Sequence, residues 1–273
     1  MRSSGYAWPV PLDLATGAAR VTLLPELGGR IAALEVGGLE LLVTPDVDDH
    51  DYGTFPMAPW TGRIRDGRFT FHGVAYQVPL NKPPHAIHGT TRDHPWTVRT
   101  ATATSAVLEQ QLTEPWPFGG RAVMGFELAA DALALTFEVH AGARTMPAEC
   151  GWHPWWRRDA GRGEPLEIEL HADAMYRRDA DGIPTGELVD ITPPPWDDCF
   201  TGLGDPAATL HWPGAASVDV RTDCSCLVVY TEPDDAICVE PESGPPDQFN
   251  LEPRIVQPGA PLVAHTTWRW TLH

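Results

Sequence analysis

Three short stretches of this 273-residue chain hold side chains whose types and spacing can move protons. In "ICVEPESGPPDQFN" (237–250), Glu240 directly follows the apolar run "AICV". A carboxylate at the edge of a core has a tuned pKa and can serve as a general base, whereas the same residue at a solvated strand end does nothing special. The stretch alone leaves both readings open. Glu242 and Asp247 read as turn or surface residues. In "ECGWHPWW" (149–156), His153 stands among Trp152, Trp155 and Trp156. Core packing accounts for some of these indoles, but a histidine beside an aromatic surface also suits a sugar, whose C–H faces lie on rings while a polar group meets one oxygen. The third stretch, "NKPPHAIHG" (81–89), sets His85 and His88 three apart. Pro83 and Pro84 argue for extended or turn backbone, on which an odd spacing sends two rings to opposite faces. No HxH, HExxH or Cys/His cluster supplies further ligands, so no metal site is expected. His85 reads as a backbone-bonded or solvent-facing loop residue and His88 as the more credible site residue.

The elements that must position these residues read as strands. "RVTLL", "RIAALEV", "RFTFHGVAYQV", "AVLEQQL", "ALALTFEVH", "LEIELHA", "SVDVRT" and "CLVVYT" are rich in branched and aromatic residues. Gly, Pro and Asp clusters separate them at spacings typical of antiparallel sheets. In "LEIELHA", Leu166, Ile168 and Leu170 share one face and Glu167 and Glu169 the other, as a half-buried strand requires. Helix periodicity is poor, with 28 prolines and 25 glycines spread over the whole length. The expectation is an all-β antiparallel β-sandwich forming one domain over residues 1–273, with "DDHDYGTF" (48–55) and "PPPWDD" (193–198) as loops.

Composition narrows the partners. A formal charge of −18 repels phosphate backbones and anionic headgroups over most of the surface, so neither nucleic acid nor membrane is expected to bind. Five cysteines without a CxxC suggest reduced thiols in a cytoplasm. The N-terminal "MRSSGYAWPVPLDLATG" has no apolar h-region, so no signal peptide is expected. The sequence leaves the oligomeric state, monomer or homodimer, open.

Taken in order, "GRI" (62–64), "NKPPHAIHG", "GWHPWW", "WDDCF" (196–200), "VEPESGPPDQFN" and "QPGAPLVAHTTWRW" (257–270) resemble the aldose 1-epimerase (galactose mutarotase) family across nearly the whole chain. The family's usual forms are Asn-Arg-Ile, Asn-x-x-x-x-(Leu/Ile)-His-Gly, His-Pro-Tyr-Phe, Asp-x-x-Phe, Leu-Glu-Thr-Gln and Pro-Gly followed by His-Thr-Thr. The resemblance implies a galactose mutarotase-like supersandwich that interconverts the α and β anomers of free aldohexoses with no cofactor and no metal. By matched position it makes Glu240 the general base and His153 the general acid. It makes His88, Arg63, Asp197, Asn81 and Trp155 sugar-binding residues. Where some members have Asn before the acid histidine this chain has Trp152, and Trp155–Trp156 replace Tyr-Phe. Glu240 and Asp197 are expected to raise the pKa of His153 and keep it protonated at neutral pH.

Two rival functions follow from the same residues. A hexose-6-phosphate 1-epimerase would clamp phosphate with arginines, and Arg63, Arg65, Arg68, Lys82 and Arg92 lie close in sequence. Arg63 and Arg65, two apart, would share a strand face, although Asp66 offers Arg65 a structural partner. A non-catalytic carbohydrate-binding domain on the same fold would not need both an acid and a base.

Overall fold

The computed structural model describes residues 10–44 and 52–273; the first part of the N-terminal stretch and the first half of the "DDHDYGTF" segment lie outside the described residues. The larger sheet runs in the order Leu12–Thr16, Ala19–Leu24, Arg30–Val36, Thr54–Met57, Gly151–Arg157, Ala236–Glu242, Cys226–Tyr230, Asp197–Thr201, Ala174–Arg178, Pro184–Val189, with Leu39–Glu40 paired onto Arg30–Val36. The second sheet has eight strands, in the order Thr97–Ala101, Ser105–Gln111, Arg121–Leu128, Ala132–His140, Leu262–Leu272, Ala216–Thr222, Ala208–Trp212, Glu167–Leu170. Neighbouring strands are antiparallel throughout, as the short alternating runs foretold.

Alternation explains why the sheets stack. Along Ala132–His140, Leu133, Leu135, Phe137 and Val139 are buried while the residues between them are half-buried, so one face of this strand is fully apolar. It meets the larger sheet through Trp152, whose ring lies 5.2 Å from that of Phe137. Further along, Trp156 packs edge-on against Trp268 at 4.8 Å and near Trp212 at 6.3 Å. One buried cluster contains residues of both sheets.

Three readings of local structure need correction. Thr54 and Phe55, read as the end of the "DDHDYGTF" loop, open the strand Thr54–Met57. "PPPWDD" is a loop only as far as Trp196, because Asp197 and Asp198 open a strand paired with Cys226–Tyr230. Glu240 does not end its strand: Ala236–Glu242 continues through Pro241 in the middle of the sheet. Its partners in register include Gly151↔Glu242 and Trp155↔Cys238. Between them Pro154 and Pro241 each lack the N–H that a regular ladder uses, which makes a proline deep in a sheet unusual. The two prolines mask the strand pattern in the sequence without breaking the strands.

Candidate active site

The site grows from one face of five adjacent strands of the larger sheet. The registers Phe55↔His153, Val228↔Glu240 and Cys199↔Val228 set these residues in a line across the sheet, and the pairs flanking His153 place it opposite Glu240. The next line along the strands is Trp155, Cys238, Tyr230 and Asp197. Because side chains two apart share a face, both lines, apart from the fully buried Cys238, open into one cavity of about 430 Å³. Its walls include Phe55, Arg63, Lys82, His88, Arg92, His153, Trp155, Arg178, Asp197, Glu240 and Glu242. This falls in the range of about 300–1,000 Å³ usual for small-molecule sites.

His153 Nε2 lies 3.4 Å from Glu240 Oε1, and both residues are buried. The imidazole is held between two rings: Phe55 stacks on it at 4.5 Å and Trp155 at 5.2 Å. His88 meets it edge-on at 5.0 Å. His88 owes its place to an unusual backbone. Its φ is 60°, its N–H donates to the Gly62 carbonyl at 2.8 Å, and Gly89 after it also has positive φ. A Cβ at Gly89 would stand 2.0 Å from the Ala58 carbonyl oxygen, so only glycine lets the loop approach the sheet this closely.

Electrostatics overturn the expected protonation of His153. Burial, reinforced by the Arg92 and Arg30 guanidiniums, pulls it down to about 3. Burial also pushes Glu240 well above the usual carboxylate value, with Glu242 and Asp197 adding to the rise and Arg63 opposing it. Removal from water therefore outweighs the attraction between imidazolium and carboxylate. Burial thus favours the uncharged form of both groups, with the pair's proton on the carboxyl and not on the imidazole. His88 is likewise held well below its ordinary value, by burial first and then by His153, Arg92 and Arg63. Burial raises Asp197 too, against the pull of Arg63 and Arg178.

The structure brings Arg63, His88, His153, Trp155, Asp197 and Glu240 together around the cavity. Asn81 is not among its walls. Its amide donates to the Ile87 carbonyl at 2.9 Å and its carbonyl accepts from the Ile87 N–H at 2.8 Å, so it closes the loop that carries His88. His85 is buried, not solvent-facing, and its Nδ1 accepts from the Asp66 N–H at 3.1 Å. Arg65 does not share a clamp with Arg63. It forms ion pairs with Asp179 and Asp181 from a distant segment, not with Asp66. Glu242 and Asp247 are buried, contrary to their reading as turn or surface residues. Asp247 accepts from the Arg65 N–H at 3.0 Å, and Glu242 lines the cavity.

Sequence reasoning missed Phe55, Arg178 and Asp198. Arg178 bonds Asp198 at 2.7 Å through Nε and Asp197 at 3.2 Å through Nη1, holding the Asp197 carboxylate at the cavity wall. No local signal marks Arg178, since its partners lie 19 and 20 residues away. For Phe55 the strand "TFPM" was the available clue.

The fold belongs to a recognisable class. Solved structures that share the architecture include a putative aldose 1-epimerase from Escherichia coli K12 (TM-score 0.85, 21% identity, 97% of this chain and 99% of that one). Another is galactose 1-epimerase from Lactobacillus acidophilus (TM-score 0.81, 18% identity, 96% and 94%). At such identities the likeness concerns the fold, a galactose mutarotase-like antiparallel β-sandwich. The aldose 1-epimerase family model matches residues 12–270, and the chain belongs to that family. Among curated relatives, the uncharacterized protein YihR of Escherichia coli is 25% identical over 92% of this chain and 90% of its own length. Pig galactose mutarotase is 25% identical over 66% of this chain, a match spanning 55% of the pig protein.

Proposed function

We propose that this protein is an aldose 1-epimerase that interconverts the α and β anomers of free aldohexoses by general acid and base catalysis. The observation that carries this reading is the buried His153–Glu240 pair, 3.4 Å apart on the floor of a sugar-sized cavity, in a chain of this family. Glu240 takes the proton of the anomeric O1 hydroxyl while His153 delivers one to the ring oxygen. The C1–O5 bond opens to the aldehyde, rotation about C1–C2 exposes the other face, and the roles reverse as the ring closes. One proton in the pair suffices. Its transfer from Glu240 to His153 when a sugar displaces water produces base and acid together, with no change in the total charge of the site.

Other walls of the cavity fit a neutral, hydroxyl-rich ligand. Trp155 offers a ring to a sugar face, Asp197 accepts from a hydroxyl under the hold of Arg178, and Arg63 and His88 donate to oxygens near the ring. The rival hexose-phosphate reading loses Arg65, which is engaged by Asp179 and Asp181, and keeps Arg63, Lys82 and Arg92 in the cavity walls, where Asp197, Glu240 and Glu242 also stand. A binding-only domain has no use for the paired acid and base.

The family match over residues 12–270 and the core cluster drawn from both sheets support one domain. Five thiols without a disulfide fit a reducing compartment such as the cytoplasm. Among the described residues no helix is long and apolar enough to cross a membrane.

Polarimetry, or NMR exchange between anomers, over a panel of free and phosphorylated aldoses tests the proposal. Catalysed exchange of glucose or galactose is expected. Exchange confined to 6-phosphates, weakening as salt rises, would establish the rival.

A further inference from the structure

Cys238 has no part in the reaction above, yet it faces the same way as Glu240, two residues along the strand, and pairs in register with Trp155 and Tyr230. It is a buried thiol in no disulfide. One ligating atom each from His153, Cys238 and Glu240 lies within 4.8 Å of the other two, the one such His/Cys/acid group found among the described residues. Sequence spacing does not reveal it, since His153 comes from a strand more than eighty residues earlier.

The His153–Glu240 spacing fits a tetrahedral ion. Zinc bonds of about 2.0–2.1 Å to nitrogen and oxygen, meeting at a tetrahedral angle, span about 3.3–3.4 Å between ligands. His153 Nε2 and Glu240 Oε1 are 3.4 Å apart. Imidazole, thiolate and carboxylate make a donor set that thiophilic divalent cations accept, and His153 and Glu240 line the cavity, from whose side a water can complete the set. Phe55 and Trp155 hold the imidazole edge-on toward the other two ligands. The Nδ1 atom of His153 has no hydrogen-bond partner, so the orienting contact typical of resident metals is missing.

We propose that His153, Cys238 and Glu240 form a reversible binding site for Zn²⁺ or a similar thiophilic cation, and that metal bound there inhibits the enzyme. The ion takes lone pairs of the imidazole nitrogen and the Glu240 carboxylate oxygen, and the proton of the Glu240 carboxyl and that of the Cys238 thiol both leave to solvent as the oxygen–metal and sulfur–metal bonds form. Both groups are then withheld from a sugar, so metal and substrate exclude each other. Metal capture stands on geometry alone; only its effect on turnover rests on the epimerase reading.

The test uses the full chain, freed of metal by chelator and dialysed, with Co²⁺ as spectroscopic probe and Zn²⁺ as competitor. One Co²⁺ per chain with a cobalt–thiolate charge-transfer band is expected, bleached by Zn²⁺. Zinc should also inhibit anomer exchange, with relief by chelator and by excess sugar. In Cys238→Ala the band disappears and zinc binds at least about tenfold more weakly, while metal-free kcat/KM stays near wild type. Should Cys238→Ala not fold, Cys238→Ser, closer in volume, carries the same comparison. A cobalt spectrum without the thiolate band, or unchanged zinc affinity in the Cys238 variant, overturns the site. Thiolate-bound cobalt in a chain that exchanges no sugar would leave the metal site standing and overturn the proposed reaction instead.

Discussion

The strand Gly151–Arg157 has two faces governed by different physics. Trp152 and Trp156 point toward the second sheet and are packed by Phe137, Phe126, Trp212 and Trp268. His153 and Trp155 point the other way, into the cavity beside Glu240. Both faces are buried, and every residue from Gly151 to Trp156 is buried. On the first face burial contributes stability, because apolar area leaves water and meets close-packed partners. On the second it costs stability, because imidazole and carboxylates lose hydration without full replacement, and the cost appears as shifted pKa values. A single strand thus joins a region that packs to one whose groups, in the proposed reaction, exchange protons with a sugar.

Substitutions on the two faces should therefore fail in different ways. The largest effect is expected from Glu240→Gln, which keeps shape and removes basicity: anomer exchange falls by about 10²–10⁴ with the thermal midpoint kept or raised. A variant exchanging anomers near the wild-type rate would remove Glu240 from the mechanism. On the packing face, Trp156→Ala should cost about 3–5 kcal/mol of unfolding free energy while the fraction still folded retains its kcat. Denaturant titration combined with active-site-normalised rates checks both halves.

Acid–base linkage sharpens the contrast with opposite signs. Burial holds Glu242 well above its ordinary value, so the native state keeps a proton that the unfolded chain gives up. Its contribution is fully present below the unfolded value, about 4.3, and is lost as pH rises through the folded one. Glu242→Gln should flatten that decline, and urea midpoints at about pH 5 and about pH 8 would show it. His153 behaves in the reverse sense. With its folded value at about 3, the unfolded chain gains the proton first, so stability falls as pH drops from about 6.5 toward 3. For the same reason kcat/KM should show no loss around pH 6.5, and an acid limb there would contradict a neutral His153. The smallest effect is expected from Arg65→Ala. Its partly exposed pairs with Asp179 and Asp181 should cost at most about 1 kcal/mol, with little change in kcat/KM for free sugars. A large loss on a phosphorylated sugar alone would return Arg65 to the substrate.

Strands such as Arg30–Val36 and Ala132–His140 were legible because their period-two pattern is set by which face meets the core. Glu240 and His153 were legible as chemistry-bearing residues beside apolar runs, and six ordered motifs tied them to a family. Their surroundings were less so. Pro154 and Pro241 disguised two central strands as strand-end loops. Glu242 looked like a turn residue because proline and glycine follow it, yet its strand continues through it. Asn81 matched a motif position, but its amide serves the loop and not the cavity.

Taken alone, the sequence determined the all-β class and the strong net negative charge, since these depend on residue type and on neighbours one or two positions away, and it singled out Glu240 and His153 as the candidate base and acid. Tertiary structure decided which arginine faces the cavity, that Arg178 steadies Asp197, that Cys238 stands beside the His153–Glu240 pair, and that His153 is neutral. Each of these depends on distances between strands remote in sequence and on how much water is excluded between them, and a pKa responds to that environment as strongly as to the chemistry of the side chain itself.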